Sequence, residues 1–442
     1  MDYNISDYMV VQPLDDDMLL YSTLSTSILT MDSEMYKTIF EKQDFSKYPD
    51  ECVSLEEMGF LFYGDPDSQS NALEAIRKEI VYADNGIQGV TIAPTMECNA
   101  RCFYCFEHGA VQGTMTPDTA DHVASFLIDN CKEKELYIAW FGGEPLMAID
   151  IIDRINAQLI DAGIKVESTI TTNGILINEE IVDKFFEWNL TRVQITLDGL
   201  GEQYNRIKNY QLDIDDPFEQ IMNNIQLVIN KGISVHLRVN YKSIDYQSVK
   251  ETMDYLHKRF GSYDKLYLYG APLDLPEIKG YSEFDEEEGN IFLQVLNDSL
   301  QCGYENDELN FSELRVSEHY NPALGELMLA PFPANCYMVN MHRYVIDDAG
   351  YLYKCQKHLG KPQFSCGDVF TGPIKNENYN YYVCEKVHDL KCQKCNIFPI
   401  CQGGCNANRL IYGNKYACPP SKSIVEKLVL KYYHYLISDS TF

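Results

Sequence analysis

Positive charge is scarce in this chain: 36 Lys and Arg face 66 Asp and Glu among 442 residues, a formal net charge of −30. No basic surplus exists to displace counterions from phosphates, so no nucleic-acid partner is expected. Basic residues are also missing from the start. The first 30 positions hold five Asp and no Lys or Arg, the opposite of a signal peptide. No apolar run approaches the roughly 18 residues of a membrane-spanning helix, so no membrane partner is expected either. Cysteine, by contrast, is abundant, with 15 in a chain whose 45% apolar content already supports a core. A chain of this length does not need disulfide staples. Without a secretion signal, the cysteines point to a cytoplasmic location and to metal ligation.

Residues 91–270 alternate short β-rich runs with amphipathic helical runs. Strands are expected at Val90–Pro94, Leu136–Trp140, Glu167–Thr171, Arg192–Leu197, Ser234–Asn240 and Lys265–Tyr269. Helical patterns between them include Glu179–Trp188, Phe218–Asn230 and Ser248–Arg259. Six strands alternating with helices imply a parallel sheet curled into a barrel-like wall, with chemistry at the carboxyl ends of the strands. Before it, Tyr8–Pro13 and Met18–Tyr21 suggest strands, and Ser33–Glu41 and Ser70–Tyr82 helices. The acidic stretch Tyr281–Gly289 fits a solvated helix start, and Ile424–Ile437 an amphipathic closing helix.

Cys98, Cys102 and Cys105 follow the first barrel strand with x3 and x2 spacing. Three thiolates on one loop can hold three irons of a 4Fe–4S cubane, leaving the fourth iron open. A zinc site borrowing a fourth cysteine is the alternative. With Tyr104 before the last cysteine, the loop resembles the signature of radical S-adenosylmethionine (SAM) enzymes. The resemblance continues strand by strand. Gly142-Gly143-Glu144-Pro145 is similar to the family's GGE turn, which implies that Glu144 meets the SAM ammonium. Its glycines would let the backbone approach the ligand. Thr171-Thr172-Asn173-Gly174 resembles the TNG segment, and Thr196-Leu197-Asp198-Gly199 the SLDG segment with Thr for Ser. The resemblance implies SAM contacts from Tyr104, Asn173 and Thr196, while Asp198 contacts SAM or stabilises its turn. Arg238 and Asn240 stand where relatives place contacts to the SAM carboxylate or ribose. Relatives often read His-Asp-x-x-Arg after the SLDG glycine; Tyr204-Asn205-Arg206-Ile207-Lys208 departs from this and leaves the role of Lys208 open.

Cys336-x13-Gly350-x4-Cys355, followed by Cys392-x2-Cys395-x5-Cys401-x3-Cys405-x12-Cys418, is similar to the SPASM extension of radical SAM enzymes. By that resemblance Cys392, Cys395, Cys401 and Cys418 hold an outer auxiliary cluster. Cys336, Cys355 and Cys405 hold three irons of an inner one. Its fourth position falls to Cys366, to Cys384 or to a substrate thiolate. Cys52, Cys131 and Cys302 are expected to be small buried hydrophobes.

The resemblance thus implies an α/β protein. Residues 87–310 form a partial (β/α)6 TIM-like radical SAM barrel, preceded by a winged-helix-like leader-recognition domain (1–86) and followed by a SPASM domain (311–442). The implied cofactors are SAM and three 4Fe–4S clusters. In the family the reduced first cluster cleaves SAM to methionine and a 5′-deoxyadenosyl radical, which takes hydrogen from a C–H bond. The implied partners are a ribosomally made precursor peptide, its leader added at a sheet edge, and a one-electron reductant such as flavodoxin or ferredoxin. The expected activity is peptide maturation by an intramolecular cross-link, a Cys thioether. Carbon–carbon cross-linking, epimerisation and formylglycine formation are the alternatives. Sulfatase maturases carry an Asp after the cysteine of Gly-x4-Cys, where Gln356 stands here. A non-catalytic iron–sulfur or zinc peptide scaffold would have no reason to keep Glu144 beside an open iron.

Overall fold

The computed structural model describes residues 3–107, 109–242, 245–273, 286–301, 329, 331, 336–384, 386–387, 389–413 and 417–438. Its centre is a sheet of eight strands. Six run parallel in chain order: β1 (Gly89–Ile92), β2 (Glu135–Trp140), β3 (Lys165–Thr172), β4 (Leu190–Leu197), β5 (Ser234–Tyr241) and β6 (Leu266–Pro272). All six lie within a few residues of the expected positions. Two further strands were not anticipated: β7 (Tyr344–Ile346) pairs parallel to β1, and β8 (Leu352–Tyr353) returns antiparallel. The cysteine-rich C-terminal region therefore continues the barrel wall.

Helices connect the strands where local chemistry starts them. Thr116 caps Pro117–Asn130 by accepting from Thr119 N, and Asp216 caps Pro217–Asn230 by accepting from Phe218 and Glu219 N, with Pro first in each helix. The strands bury their outer face under these helices. Ile138, Trp140, Ile170, Val193, Ile195, Val235, Leu237 and Leu268 all lie in that core. The acidic run at 281–289 is described only from Glu286, inside the helix Glu286–Gln301; 281–285 lie outside the described residues, as does Cys302.

In the N-terminal region Met9–Leu14, Asp17–Ser22 and Ile28–Asp32 form an antiparallel sheet. The helix expected at Ser33–Glu41 changes character midway, with an α-helical turn Ser33–Tyr36 running into π-helical Lys37–Glu41. Helix Ser68–Val81 follows. The region is not an appendage. Val10, Leu19 and Tyr21 share a core with Ile424, Val425, Leu428 and Val429 at the closing helix, described as Val425–Ser438. Gln12 Nε2 donates to Glu426 O (2.9 Å) and Tyr8 OH to Gln393 O (2.6 Å). No helix among the described residues is long and apolar enough to cross a membrane.

Candidate active site

The loop bearing Cys98, Cys102 and Cys105 leaves β1 at the carboxyl edge of the sheet. Its base is pinched by a bridge between Thr95 and Thr114, with Met96 N donating to Gly113 O (2.8 Å). The next turn grips it from the side: Gly143 N donates to Thr95 O (3.1 Å) and Glu144 N to Glu97 O (2.9 Å). A Cβ on Gly142, whose φ is +106°, would lie 2.4 Å from Thr95 O, and one on Gly143 2.2 Å from Glu97 O. The sequence reading assigned these glycines to close approach of a ligand. In the structure the surface that a Cβ here would meet is the chain's own cysteine loop.

Glu144 is fully buried and tied to the third-strand turn. Its carboxylate accepts from Thr172 Oγ1 (2.7 Å), Leu146 N (3.1 Å) and Asn173 N (2.8 Å). Burial nevertheless pushes its pKa up, because these donors offset only part of the lost hydration. Pro145 begins the short 3-10 turn beneath it. Asn173 Nδ2 reaches back to Asn99 Oδ1 (2.7 Å), inside the cysteine loop.

Lys208, left without a role by the sequence, closes the other side. Its ammonium lies 2.7 Å from Asp198 Oδ2, both side chains 2% exposed, and donates to Thr196 Oγ1 (2.8 Å). Tyr104 OH donates to Asp198 Oδ2 (2.7 Å), Asn240 Nδ2 to Asp198 Oδ1 (2.9 Å), and Arg101 N to Lys208 O (2.9 Å). Burial alone would push the Lys208 pKa down. The facing Asp198 carboxylate outweighs it, and the group is held protonated. Asp198 is thus the centre of a knot joining the cysteine loop to β4, β5 and helix Gly201–Lys208. Beside it opens a cavity of about 300 Å³ lined by Phe103, Tyr104, Asn240, Lys242, Val249 and Thr252.

Two further cysteine groups form. Beyond burial, the Cys405 thiol adds to the raised pKa of Cys336 and of Cys355, Cys336 adds to that of Cys355, and Cys392, Cys395 and Cys418 add to that of Cys401. Cys366 Sγ donates to Leu352 O (3.3 Å) and Cys384 Sγ to Lys386 O (3.1 Å). Cys52 and Cys131 are buried, as expected.

Among the described residues no three His, Cys, Asp or Glu side chains gather as a site for a single metal ion. The donor set is nonetheless suited to iron–sulfur clusters, whose thiolates attract N–H donors. Ala100 N points at Cys98 Sγ (3.4 Å), Met338 N at Cys336 Sγ (3.4 Å), Asn408 N at Cys405 Sγ (3.5 Å) and Lys422 Nζ at Cys418 Sγ (3.6 Å). Asn99 Nδ2 is buried beside Cys98 with no partner among the described residues. Burial pushes Cys98, Cys355 and Cys401 up to about 12, so each would need a metal to become a thiolate near pH 7.

The sequence reading missed Asn99 and Arg77. The fully buried Arg77 comes from helix Ser68–Val81, and its charge offsets part of the rise that burial imposes on the Cys336 pKa. The signal was present: Arg77 interrupts the apolar i, i+4 stripe Leu73–Val81.

His358 is linked to the inner group through Tyr382. Its ring stacks on Phe364 (4.3 Å between centroids), and Nε2 lies 2.8 Å from Tyr382 OH. Burial, reinforced by Lys361 and Lys357, pushes its pKa down to about 4. Unfolding therefore takes up a proton between pH 6.5 and 4. The stability this neutral ring confers is complete above pH 6.5 and falls on acidification through that window, by on the order of 3 kcal/mol. The urea midpoint of wild type is expected to drop between pH 7 and pH 5 by more than that of a His358→Gln variant. Equal drops would contradict this.

This arrangement agrees with comparisons to known proteins. Residues 92–256 match the model of the Radical SAM superfamily, and the chain carries a radical SAM domain. It is an enzyme with a radical SAM domain and peptide-modifying relatives. The cysteine-type anaerobic sulfatase-maturating enzyme of Clostridium novyi is 26% identical over 71% of this chain and 86% of that protein. The radical SAM cyclopropyl synthase TigE of Paramaledivibacter caminithermalis is 22% identical over 94% of this chain and 93% of its own. Among solved structures, anSMEcpe with bound AdoMet superposes with a TM-score of 0.59 at 18% identity, covering 80% of this chain and 94% of that one. Streptococcus suis SuiB, solved also with its precursor peptide SuiA, gives 0.51 at 16% identity, covering 94% of this chain and 98% of that one. At these identities the structural likeness speaks for the fold.

Proposed function

We propose that this enzyme matures a ribosomally made precursor peptide, joining a cysteine sulfur of that peptide to one of its carbons. SAM with a 4Fe–4S cluster at Cys98, Cys102 and Cys105 supplies a carbon radical able to take hydrogen from an unactivated C–H bond. The protein's share is positioning. Tyr104, Gly142, Gly143, Glu144, Pro145, Asn173, Thr196 and Arg238 surround the place for SAM. Joining a thiol to a carbon removes two hydrogens and two electrons. The carbon loses a hydrogen atom, the thiol a proton, and the remaining electron requires an acceptor. The two C-terminal cysteine groups are the place for one, as two auxiliary 4Fe–4S clusters. Flavodoxin or ferredoxin is the class of reductant that fits, and the cytoplasm the fitting compartment.

The observation that carries the thioether is the inner group. Cys336, Cys355 and Cys405 supply three thiolates, and the Cys366 and Cys384 sulfurs are bonded to carbonyls instead. A fourth position is left for a substrate thiolate, a soft ligand of the right kind. The N-terminal sheet suits a leader peptide added as a strand at Ile28–Asp32, since the Met9–Leu14 side meets the closing helix. Adding a Cys-containing substrate peptide is expected to change the inner cluster's electron paramagnetic resonance signal, and a Cys-to-Ser peptide to leave it unchanged. Equal effects of both would refute sulfur ligation. A second reading, carbon–carbon bond formation, is favoured by the similarity to TigE over nearly the full chain. Its product would form from the Ser peptide as well.

A further inference from the structure

The inner face of the barrel wall is polar, which is unusual. Parallel strands commonly carry apolar residues on both faces, and closed α/β barrels fill their interior with branched aliphatics. Here the strand register places Thr169, Arg192 and Ser234 in one inward-facing layer. Thr171, Gln194, His236 and Tyr267 form the next, and Thr196, Arg238 and Tyr269 the third. Nearly all of these are only half-buried, whereas the alternate, outward residues of the same strands are buried.

Two guanidinium groups enter this lumen. Arg192 and Arg238 both face it, and both influence Tyr269, whose hydroxyl donates to Gln194 Oε1 (2.9 Å). Arg192 Nη2 lies 3.4 Å from Tyr137 OH, which pairs with Thr169 Oγ1 (2.7 Å). Neither arginine forms an ion pair with a described carboxylate, and the Nε of each is buried without a partner among the described residues. Arg238 shares the Thr196 layer, the level of the place for SAM. Arg192 stands two layers deeper. Half-buried guanidinium groups without a carboxylate are costly unless a ligand completes them, and a planar carboxylate suits their fork.

We propose that the barrel lumen below the SAM level is a carboxylate-binding subsite, in which Arg192, backed by Tyr137, receives a carboxylate of the substrate peptide. The proposal rests on the peptide reading above and adds what the peptide must carry. The carboxylate comes from an acidic side chain near the modified residue or from the peptide's C-terminus.

The test is equilibrium binding to the reconstituted holoenzyme with SAM, using synthetic Cys-containing dodecapeptides. Each position in turn carries Glu or Gln, and each peptide ends in a carboxylate or an amide. For wild type, one Glu position, or the terminal carboxylate, is expected to tighten binding at least tenfold over its neutral counterpart. Arg192→Met should abolish that preference, Arg192→Lys should keep part of it, and SAM affinity should stay unchanged in both. The Glu and terminal arms distinguish the two sources. No preference in wild type, or an undiminished preference in Arg192→Met, would overturn the subsite while leaving the peptide reading standing. Loss of SAM affinity in Arg192→Met would overturn it by making SAM's own carboxylate the occupant. If none of the peptides binds, the peptide reading itself fails, and the subsite with it.

Discussion

Replacing Cys98, Cys102 and Cys105 together by alanine is expected to lower the iron of anaerobically reconstituted protein from about twelve to about eight atoms per chain, the content of three and of two cubanes. SAM cleavage by the dithionite-reduced protein should vanish with it. The effect is expected to be total because the three thiols occupy one short loop. That loop is pinched at Thr95–Thr114 and gripped by Gly143 and Glu144, so no other cysteine can swing in. Among the described residues the remaining thiols are committed elsewhere: Cys52 to Phe45 O, Cys131 to Glu135 O, Cys366 to Leu352 O, Cys384 to Lys386 O, and the others to the two C-terminal groups. Stoichiometric zinc, with no iron–sulfur absorption in the wild type, would refute the assignment. Retained SAM cleavage in the triple variant would refute it equally.

Much of this was visible in the sequence, for physical reasons that also mark where reading stops. The six parallel strands announce themselves because their outward residues, such as Val193, Ile195 and Leu197, alternate with inward polar ones at period two. The cysteine loop was legible because metal ligation constrains spacing within a few residues. Strands β7 and β8 were not legible. They hold three and two residues, too short for a periodic signal, and their place beside β1 is fixed by non-local pairing. The glycines of the second turn were recognised, but what they approach depends on a neighbouring segment that no local pattern displays. The contact between the N-terminal region and the outer cysteine group was hidden for the same reason. Tyr8, Leu73, Val387 and Phe398 share a core with Cys392 and Cys395 against it. Deleting residues 1–86 would therefore bare that group, so leader binding is better tested by substitutions at Ile28–Asp32.

Lys208 shows how a departure from a family pattern can carry structure. Substituting it by methionine would leave the Asp198 carboxylate buried and without its cation. Removing one partner of a buried ion pair typically costs about 3–5 kcal/mol, and here the pair has side chains 2% exposed. A Lys208→Met variant is therefore expected to unfold at markedly lower urea concentration. The double variant Lys208→Met/Asp198→Leu should recover much of the stability, because no uncompensated charge remains. The cysteine loop should respond differently. Tyr104 OH and Asn240 Nδ2 both bond to Asp198, while Arg101 N is held by the Lys208 backbone carbonyl, which substitution does not remove. The double variant should thus keep the loop but lose the anchor of Tyr104. The electron paramagnetic resonance change that SAM produces at the loop cluster should then be weakened or displaced even where stability has returned. If Lys208→Met leaves both the urea midpoint and the SAM-dependent signal at wild-type values, the knot around Asp198 does not hold the loop.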